Sequence, residues 1–391
     1  MSTQLGQMLA DRKDMVEECM ELLGKGTELL ASTVGELFPV FEVAAPILKL
    51  ALDNIESTEA KYMKEQFQKV RDNMEVISEE ITRINEEIKK SQVDAEYFSV
   101  EENLTNQFRK YIDILNAKPK FKEVKKKLFL EHFSKTGGDK DLHTLYNAVT
   151  GDNFSGESIL EITLNYEEKS RRPMEEFCAR LMRLFWVGLI VLMGHAALSR
   201  QDEEAPLKAW REKMQDVEKR VKEAIADCTE NFASQAETDV AKWLLEWTAG
   251  AQQELSDHIL RFLEEKYDWI SWSVRVYNDS GSCISNFWAG KKYQGISGGK
   301  HFTIHKDNTN VVVSYSTKPE PIDKTKIQEL VESRGQTKNM QKLATFLHSR
   351  CPQCLAHAVS KYKAVAESNN FPKECCYSGK YKKACVFVYS D

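Results

Sequence analysis

LFWVGLIVLMGHAAL, which runs from Leu184 to Leu198, is an uncharged and largely apolar stretch between long, highly charged segments. As a helix its fifteen residues would measure about 22 Å, and the hydrocarbon core of a bilayer is about 30 Å thick. Arg183 and Arg200 flank the stretch on either side. The length and the flanking charges favour a helix buried in a bundle over a helix that inserts into a membrane.

Membrane insertion, the alternative, would bring the large apolar side chains near the start of this stretch into lipid. The candidates are Leu184, Phe185, Trp186, Leu189, Ile190, Val191 and Leu192. A second apolar region, Val34 to Leu52, contains Pro39 and Pro46. Because interior prolines break or kink helices, we expect two short buried helices or a bent connection there, able to pack against the first stretch.

Helical patterns fill most of the first 265 residues. Apolar residues recur at alternating spacings of four and three at Met63, Phe67, Val70, Met74, Ile77, Ile81, Ile84 and Ile88. These positions form a coiled-coil seam. Two further seams are Trp210, Met214, Val217, Val221, Ala224 and Cys228, and then Trp243, Trp247, Ala251, Leu255, His258 and Phe262. Such seams need partner helices, and the chain supplies several itself. We therefore expect a long antiparallel bundle within one chain, and an oligomer stays open as an alternative.

After residue 265 the pattern becomes that of a small α+β domain. Alternating apolar residues from Ile270 to Val276 predict a half-buried strand, and the turn residues after it predict a hairpin return over Cys283–Trp288. Further expected strands are His301–His305, Val311–Ser316 and Ala384–Tyr389, and the expected helices are Lys324–Ser333, Lys338–Ser349 and Pro352–Ala366. The predicted fold is mainly α, with a helical bundle in residues 1–265 and an α+β domain in residues 266–391.

The net charge of −6 conceals an asymmetry between these two parts. Residues 266–391 carry 19 Lys and Arg against 10 Asp and Glu, whereas residues 1–265 carry 35 against 50. A basic part of this kind favours docking on its acidic neighbour, or binding of an acidic partner such as an unidentified protein or an anionic membrane surface. The lysines are scattered and no nucleic-acid motif accompanies them, so docking or simple solubility is the favoured explanation, and we expect no nucleic-acid partner.

The composition is that of a globular protein with room for two cores. The chain has 391 residues, of which 42% are hydrophobic and 29% charged. Its start, MSTQLGQMLADRKDM, shows no basic region followed by an apolar one, which a secretory signal would have. We expect a cytoplasmic protein, with peripheral membrane association as an open alternative.

Three segments carry a resemblance to a known family. They are LFWVGLIVLMG from Leu184, WISWSVRVYNDSG from Trp269 and NVVVSYSTKPEPIDK from Asn310, and with the helical layout they resemble the rapunzel family of fish proteins. That resemblance implies a role in skeletal and fin development without an established enzymatic activity. The family is distantly similar to cephalotoxin-like proteins, and its layout suggests α-helical pore-forming proteins.

Two polar motifs do not support a ligand site. GISGGKH, with Gly295, Gly298, Gly299 and Lys300, resembles a phosphate loop. Its glycine spacing is one residue too short, and a histidine stands where Ser or Thr is needed, so a glycine-rich turn between strands is favoured. His301 and His305 share one side of an expected strand but lie about 13 Å apart, which is too far to share one metal ion.

The cysteines leave three interpretations open. Nine are present, an odd number that favours a reduced compartment. Cys351 and Cys354 form a CxxC near the start of an expected helix, with the adjacent pair Cys375 and Cys376 further on. They are weak candidates for a zinc site or for a redox or disulfide role, and ordinary reduced cysteines are the favoured interpretation.

The sequence shows no catalytic signature, since no Ser lies in a strand-to-helix nucleophile elbow of the form GxSxG and no HExxH helix occurs. We therefore expect no enzymatic activity and no cofactor. Two function classes remain. The first is an interaction or regulatory protein whose basic tail binds a protein partner. The second is a membrane-active protein whose apolar helices leave a metastable bundle and enter lipid.

Overall fold

The computed structural model describes residues 57–72, 96–151, 157–199, 204–247, 250–278, 293–334, 337–360 and 364–391, with a short helical run at 9–14 and a few further helical positions before residue 57. The chain divides into two compact units, Met1–Thr229 and Glu230–Asp391. The first is helical, and the second combines helices with two antiparallel sheets. This arrangement confirms the predicted fold class.

The first unit is a bundle of helices around one hydrophobic core. After a helical stretch at 58–72, its helices are α1 (Glu96–Asn116), α2 (Pro119–Lys135), α3 (Lys140–Thr150), α4 (Ile159–Tyr166), α5 (Arg171–Ser199) and α6 (Glu204–Glu230). Local sequence sets several of their ends. Pro119 stands in the first turn of α2, where its missing N–H costs nothing. Ser158 and Glu161 form a reciprocal capping box at the start of α4.

The predicted seams account for much of this core. Met63, Phe67 and Val70 of the first seam are buried in it. So are Trp210, Met214, Val217, Val221 and Cys228 of the second seam. Positions 74–88 of the first seam lie outside the described residues, as does the apolar region Val34–Leu52 apart from Lys49 and Leu52.

The second unit is a sandwich of four layers. Its elements are α7 (Phe232–Glu246), α8 (Gln252–Lys266), β1 (Ser271–Asn278), β2 (Gln294–Ser297), β3 (Lys300–Lys306), β4 (Thr309–Ser316), α9 (Lys324–Arg334), α10 (Met340–Arg350), β5 (Cys354–Ser360), β6 (Ala366–Asn369), β7 (Cys376–Tyr381) and β8 (Ala384–Ser390). One sheet has the order β3-β4-β1-β6 and the other β2-β5-β8-β7. Helices α7 and α8 pack on the first sheet, and α9 and α10 pack on the second.

The period-two pattern of the strands builds these layers. On β1, Trp272, Val274 and Val276 join the core beneath α7 and α8. Tyr277 points the other way, into a core that it shares with Leu355 and Tyr389 of the second sheet. The strand is therefore buried on both faces, because a second sheet covers the face that we expected to meet water.

The predicted helix Pro352–Ala366 is wrong. Residues Cys354–Ser360 form strand β5, which pairs with β8 from Cys354 opposite Ser390 to Ser360 opposite Ala384. The segment is rich in alanine, which favours a helix, but its alternate residues enter two different cores, which only a strand allows. Part of the expected glycine-rich turn is also a strand, since β2 pairs with β5. The predicted strand Cys283–Trp288 lies outside the described residues.

The predicted boundary at residue 265 falls inside the second unit. Helices α7 and α8, which the sequence pattern assigned to the bundle, bury Val240, Leu244 and Leu255 against the first sheet. Buried Asp239 joins the two helices, because its Oδ2 accepts from Lys266 Nζ at 2.6 Å and from the Tyr267 hydroxyl at 2.7 Å. The apolar faces of α7 and α8 therefore pack against the first sheet of the second unit.

Candidate functional site

Helix α5 carries the apolar stretch on which the choice between the two function classes depends. It begins at Arg171 and has 29 residues, about 43 Å at 1.5 Å per residue. Among the helices of the described residues, α5 is the one that is long enough and apolar enough to cross a membrane. The expectation that the segment is too short to span a bilayer is therefore wrong, because the helix continues well before Leu184. Burial, rather than length, separates the two interpretations.

The surroundings of α5 are those of a core helix. Six of the seven insertion candidates are buried, namely Leu184, Phe185, Trp186, Leu189, Ile190 and Val191, and Leu192 is half-buried. Helices α1, α2, α3 and α4 all pack against α5. Arg183, which flanks the apolar stretch, is only 6% exposed. The bundle covers 78% of the most apolar 18-residue window of the helix.

Two glycines let neighbouring helices approach α5 closely. A Cβ atom on Gly188 would lie 2.3 Å from Cδ2 of Leu142. One on Gly194 would lie 2.3 Å from Cε2 of Tyr111. Both distances are far below van der Waals contact, so the side chains of α1 and α3 occupy the space that any larger residue would need.

Aromatic contacts hold the C-terminal half of α5. The ring of His195 stacks on Phe133 of α2 with centroids 4.1 Å apart, and Phe185 lies 6.4 Å from Trp210 of α6. Burial lowers the pKa of His195, which keeps the ring neutral against Phe133 at neutral pH. A neutral imidazole suits this apolar contact.

The second unit contains a buried polar cluster between its two sheets that sequence reasoning missed. Arg275 of β1 is fully buried, donates from Nη2 to the Ser314 hydroxyl, and places its guanidinium carbon 5.0 Å from the centroid of the Tyr389 ring. The Tyr389 hydroxyl donates to Glu367 of β6, the residue directly opposite Arg275 in the sheet. Burial raises the pKa of Tyr389 well above its ordinary value, so the phenol keeps its proton.

His357 of β5 lies in the same layer. It is fully buried, and its ring centroid is 5.9 Å from that of Tyr277 and 6.0 Å from that of Phe387. Burial, the charge of Arg275 and the charge of His301 together lower the pKa of His357 well below its ordinary value. Among the described residues, neither ring nitrogen has a hydrogen-bond partner. The alternation of β1 placed Arg275 opposite the apolar face, but only the second sheet makes that face an interior.

The cysteine candidates do not converge. Cys351 and Cys354 follow the end of α10 and enter β5, so the expected position at a helix start, where a dipole would favour the thiolate, is wrong. Burial, with the neighbouring Cys351, raises the pKa of the Cys354 thiol to about 11. These two residues lie in the core under α9 and α10, whereas Cys375 lies between the sheets. The described residues include no group of three or more His, Cys, Asp or Glu side chains that could hold a metal ion.

The two strand histidines have separate partners. His301 hydrogen-bonds to the backbone of Gly299, and His305 Nδ1 lies 3.1 Å from Oδ1 of Asn310. Gly298 and Gly299 have φ values of +75° and +65°, so the glycine-rich motif is a tight turn from β2 into β3.

A sequence profile described as the cephalotoxin-like middle helical domain matches residues 54–250, about half of the chain. This chain belongs to the cephalotoxin-like family. It is also similar to "Protein rapunzel" of Danio rerio, with 31% identity over 200 residues, which cover 51% of this chain and 88% of that protein. The predicted rapunzel relationship is thereby confirmed. No solved structure matches.

The cephalotoxin-like match includes one of the two candidate regions, helix α5, and excludes the other, the buried polar cluster. It contains all of helices α1 to α7, and therefore α5 with its covering helices. It ends before α8, so the buried cluster around Arg275 and His357 lies outside it. Because 200 residues make up 88% of the Danio rerio protein, that relative is shorter than this 391-residue chain.

Proposed function

We propose that this member of the cephalotoxin-like family is a non-enzymatic interaction and regulatory protein that acts in the cytoplasm during skeletal and fin development. The observation that carries the molecular part is the enclosure of α5, whose most apolar window is 78% buried. A helix covered in this way stabilises the helical bundle, and the outer surfaces of the bundle are then available to bind partners. The developmental part is an extension from the rapunzel relationship.

The charge distribution guides where such a partner would bind. The basic region 266–391 shares its unit with the acidic helices α7 and α8, so residues 230–391 carry 21 Lys and Arg against 18 Asp and Glu. Lys306 of β3 donates to the backbone carbonyls of Leu244 and Trp247 at the end of α7, at 2.7 and 3.2 Å. This lysine therefore stabilises packing within the unit, and the unit as a whole is only weakly basic, which supports the docking interpretation over an acidic partner of the tail.

One observation favours the second candidate function, membrane insertion. Helix α5 meets the length and composition of a spanning helix, and the bundle would have to open to release it. Dye release from anionic liposomes, at neutral and mildly acidic pH, separates the two functions. A Leu192→Asp variant is the informative one, because Leu192 is half-buried and the bundle should tolerate a charge there, as circular dichroism would verify. A carboxylate in the lipid-facing helix would still block insertion.

The interaction function predicts no dye release from the wild-type chain at either pH. Release that Leu192→Asp abolishes would contradict it and make membrane insertion the function. Leu189→Asp serves as the folding control, since a buried charge at this position should unfold the bundle.

The developmental role needs a separate test. Disruption of the gene in the animal that carries it should alter the fin or skeletal pattern, and a copy encoding the wild-type chain should restore that pattern. Normal development after disruption would contradict the developmental part. That result would leave the family membership unchanged, because the membership depends on sequence similarity alone.

A further inference from the structure

The outer side of α2 carries an exposed apolar stripe. The described residues include five exposed large hydrophobic side chains, and three of them lie on this helix, namely Phe121 at 52%, Val124 at 59% and Leu128 at 51%. Their spacings of three and four residues place them on one side of the helix. The other two, Tyr166 and Leu245, lie alone on other helices.

The opposite side of α2 already holds the helix in the bundle. Phe129 and Phe133 are buried in the core, and Phe129 lies 5.8 Å from Tyr111 of α1 between ring centroids. Among the described residues of the unit, packing therefore does not use the outer stripe. Leaving three large apolar side chains in water costs free energy, which makes such a stripe a candidate contact surface.

The stripe lies in a local concentration of positive charge. Helix α2 contains six lysines, no arginine and two glutamates, a net charge of +4. The unit around it is acidic, with 33 Lys and Arg against 42 Asp and Glu in residues 1–229. Lys120 extends over the Phe121 ring, with its Nζ 4.7 Å from the centroid, and the side chain of Lys127 is 79% exposed.

We propose that Lys120, Phe121, Val124, Lys127 and Leu128, the α2 outer face, form a docking surface for an anionic phospholipid membrane. An interfacial helix of this kind inserts a short apolar stripe among the headgroups, while its lysines contact the lipid phosphates and extend along the surface. Binding of this kind combines apolar burial with the attraction between each basic residue and the anionic headgroups, so neither part alone needs to be large.

The composition of the face favours lipid over a protein partner. Protein interfaces are enriched in arginine and depleted in lysine, whereas both cations of the α2 outer face, Lys120 and Lys127, are lysines. Three side chains over two helical turns also form a narrow stripe, and a stable protein interface buries about 800 Å² on each partner. This docking needs no movement of α5, so it is independent of the proposed function and of membrane insertion.

The test is co-sedimentation of the full chain with vesicles of phosphatidylcholine alone and of phosphatidylcholine mixed with phosphatidylserine. We expect binding to the mixed vesicles only, and binding that weakens as salt is raised. Lys127→Glu and the double variant Phe121→Ser/Leu128→Ser should each reduce the apparent affinity by about tenfold or more. Circular dichroism verifies that both variants are folded.

Two matched controls separate this surface from general charge or hydrophobicity. Lys219→Glu changes an exposed lysine of α6 that faces a glutamate one turn on, as Lys127 does in α2. Leu245→Ser removes the most exposed large apolar side chain of the described residues, at 71%. Both controls should bind mixed vesicles like the wild type.

Several results would overturn the proposal. One is a wild-type chain that does not bind the mixed vesicles, and another is α2 variants that bind as well as the wild type. A third is loss of binding in Leu192→Asp together with dye release by the wild type, because insertion of α5 would then account for membrane binding. If the α2 variants lose only a protein partner, the face is a protein-binding surface and the lipid assignment fails.

Discussion

At the scale of single residues, buried His357 couples the stability of the second unit to pH. Its pKa is lowered in the folded state by burial and by the charges of Arg275 and His301, with the rings of Tyr277 and Phe387 also facing it. The unfolded chain takes up a proton near pH 6.5, whereas the folded chain does not. The stability that neutral His357 contributes is therefore complete above about pH 6.5 and is lost as pH falls below it.

The variant His357→Phe should make the unit less sensitive to acid. Without this histidine, unfolding takes up one proton fewer below about pH 6.5. The slope of the unfolding free energy against pH should therefore fall by up to about 1.4 kcal/mol per pH unit in that range. Denaturant unfolding between about pH 8 and about pH 5 measures this slope. Tyr277→Phe is the control, because it changes a neighbouring side chain without removing a group that titrates in this range. Equal slopes in His357→Phe and the wild type would contradict the assignment.

The same residues show where sequence reasoning reaches its limit. The alternation of β1 predicted on which side of the strand Arg275 would lie. It did not predict that Tyr389 and His357, more than eighty residues later in the chain, would cover that side. The covering sheet forms through long-range pairing, for which a local pattern contains no signal.

At the scale of elements, the glycines of α5 set how closely its neighbours pack. Gly194→Ala should destabilise the bundle by about 1–3 kcal/mol, because the new methyl group would overlap the ring of Tyr111, which is buried and cannot move aside. Gly188→Ala overlaps Cδ2 and Cγ of Leu142 and comes within 3.2 Å of Cδ2 of Leu104, and both are aliphatic side chains that can change rotamer. The higher helix propensity of alanine, about 1 kcal/mol, should then offset most of the cost.

Denaturant unfolding of the two single variants tests this order, with the midpoint and the slope compared with those of the wild type. A smaller effect at Gly194 than at Gly188 would show that the ring of Tyr111 yields more easily than the packing indicates. The comparison is internally matched, since both changes add one methyl group to the same helix.

Elements with a strong pattern were predictable, and elements decided by context were not. The heptad positions Met63, Phe67 and Val70 are buried as their spacing predicts, because one helix face has to meet one core. Strand β5 was mistaken for a helix, since alanine and leucine favour helices and both faces of the strand are buried. Burial on both faces removes the polar alternation by which a strand is recognised in a sequence.

At the scale of the whole molecule, the two units have separate hydrophobic cores. The described core residues of the first unit end at Cys228, and those of the second begin at Phe232. The difference in net charge between the two units is smaller than the difference between residues 1–265 and 266–391, because the acidic helices α7 and α8 belong to the same unit as the basic strands. Residues 230–391 therefore have a net charge of only +3. The sequence placed the change at residue 265, where the periodicity changes, although the packing changes near residue 230.

Separate cores predict that residues 230–391 fold without the bundle. The fragment contains both sheets, the four helices that cover them and the Asp239–Lys266 ion pair. Its 162 residues exceed the size at which a single core becomes marginal. We expect one cooperative thermal transition from the fragment and a transition at the same temperature, within a few degrees, in the full chain. In the full chain, His357→Phe should change the pH dependence of that transition and leave the other unchanged. A fragment that does not unfold cooperatively would mean that the second unit needs the bundle to fold.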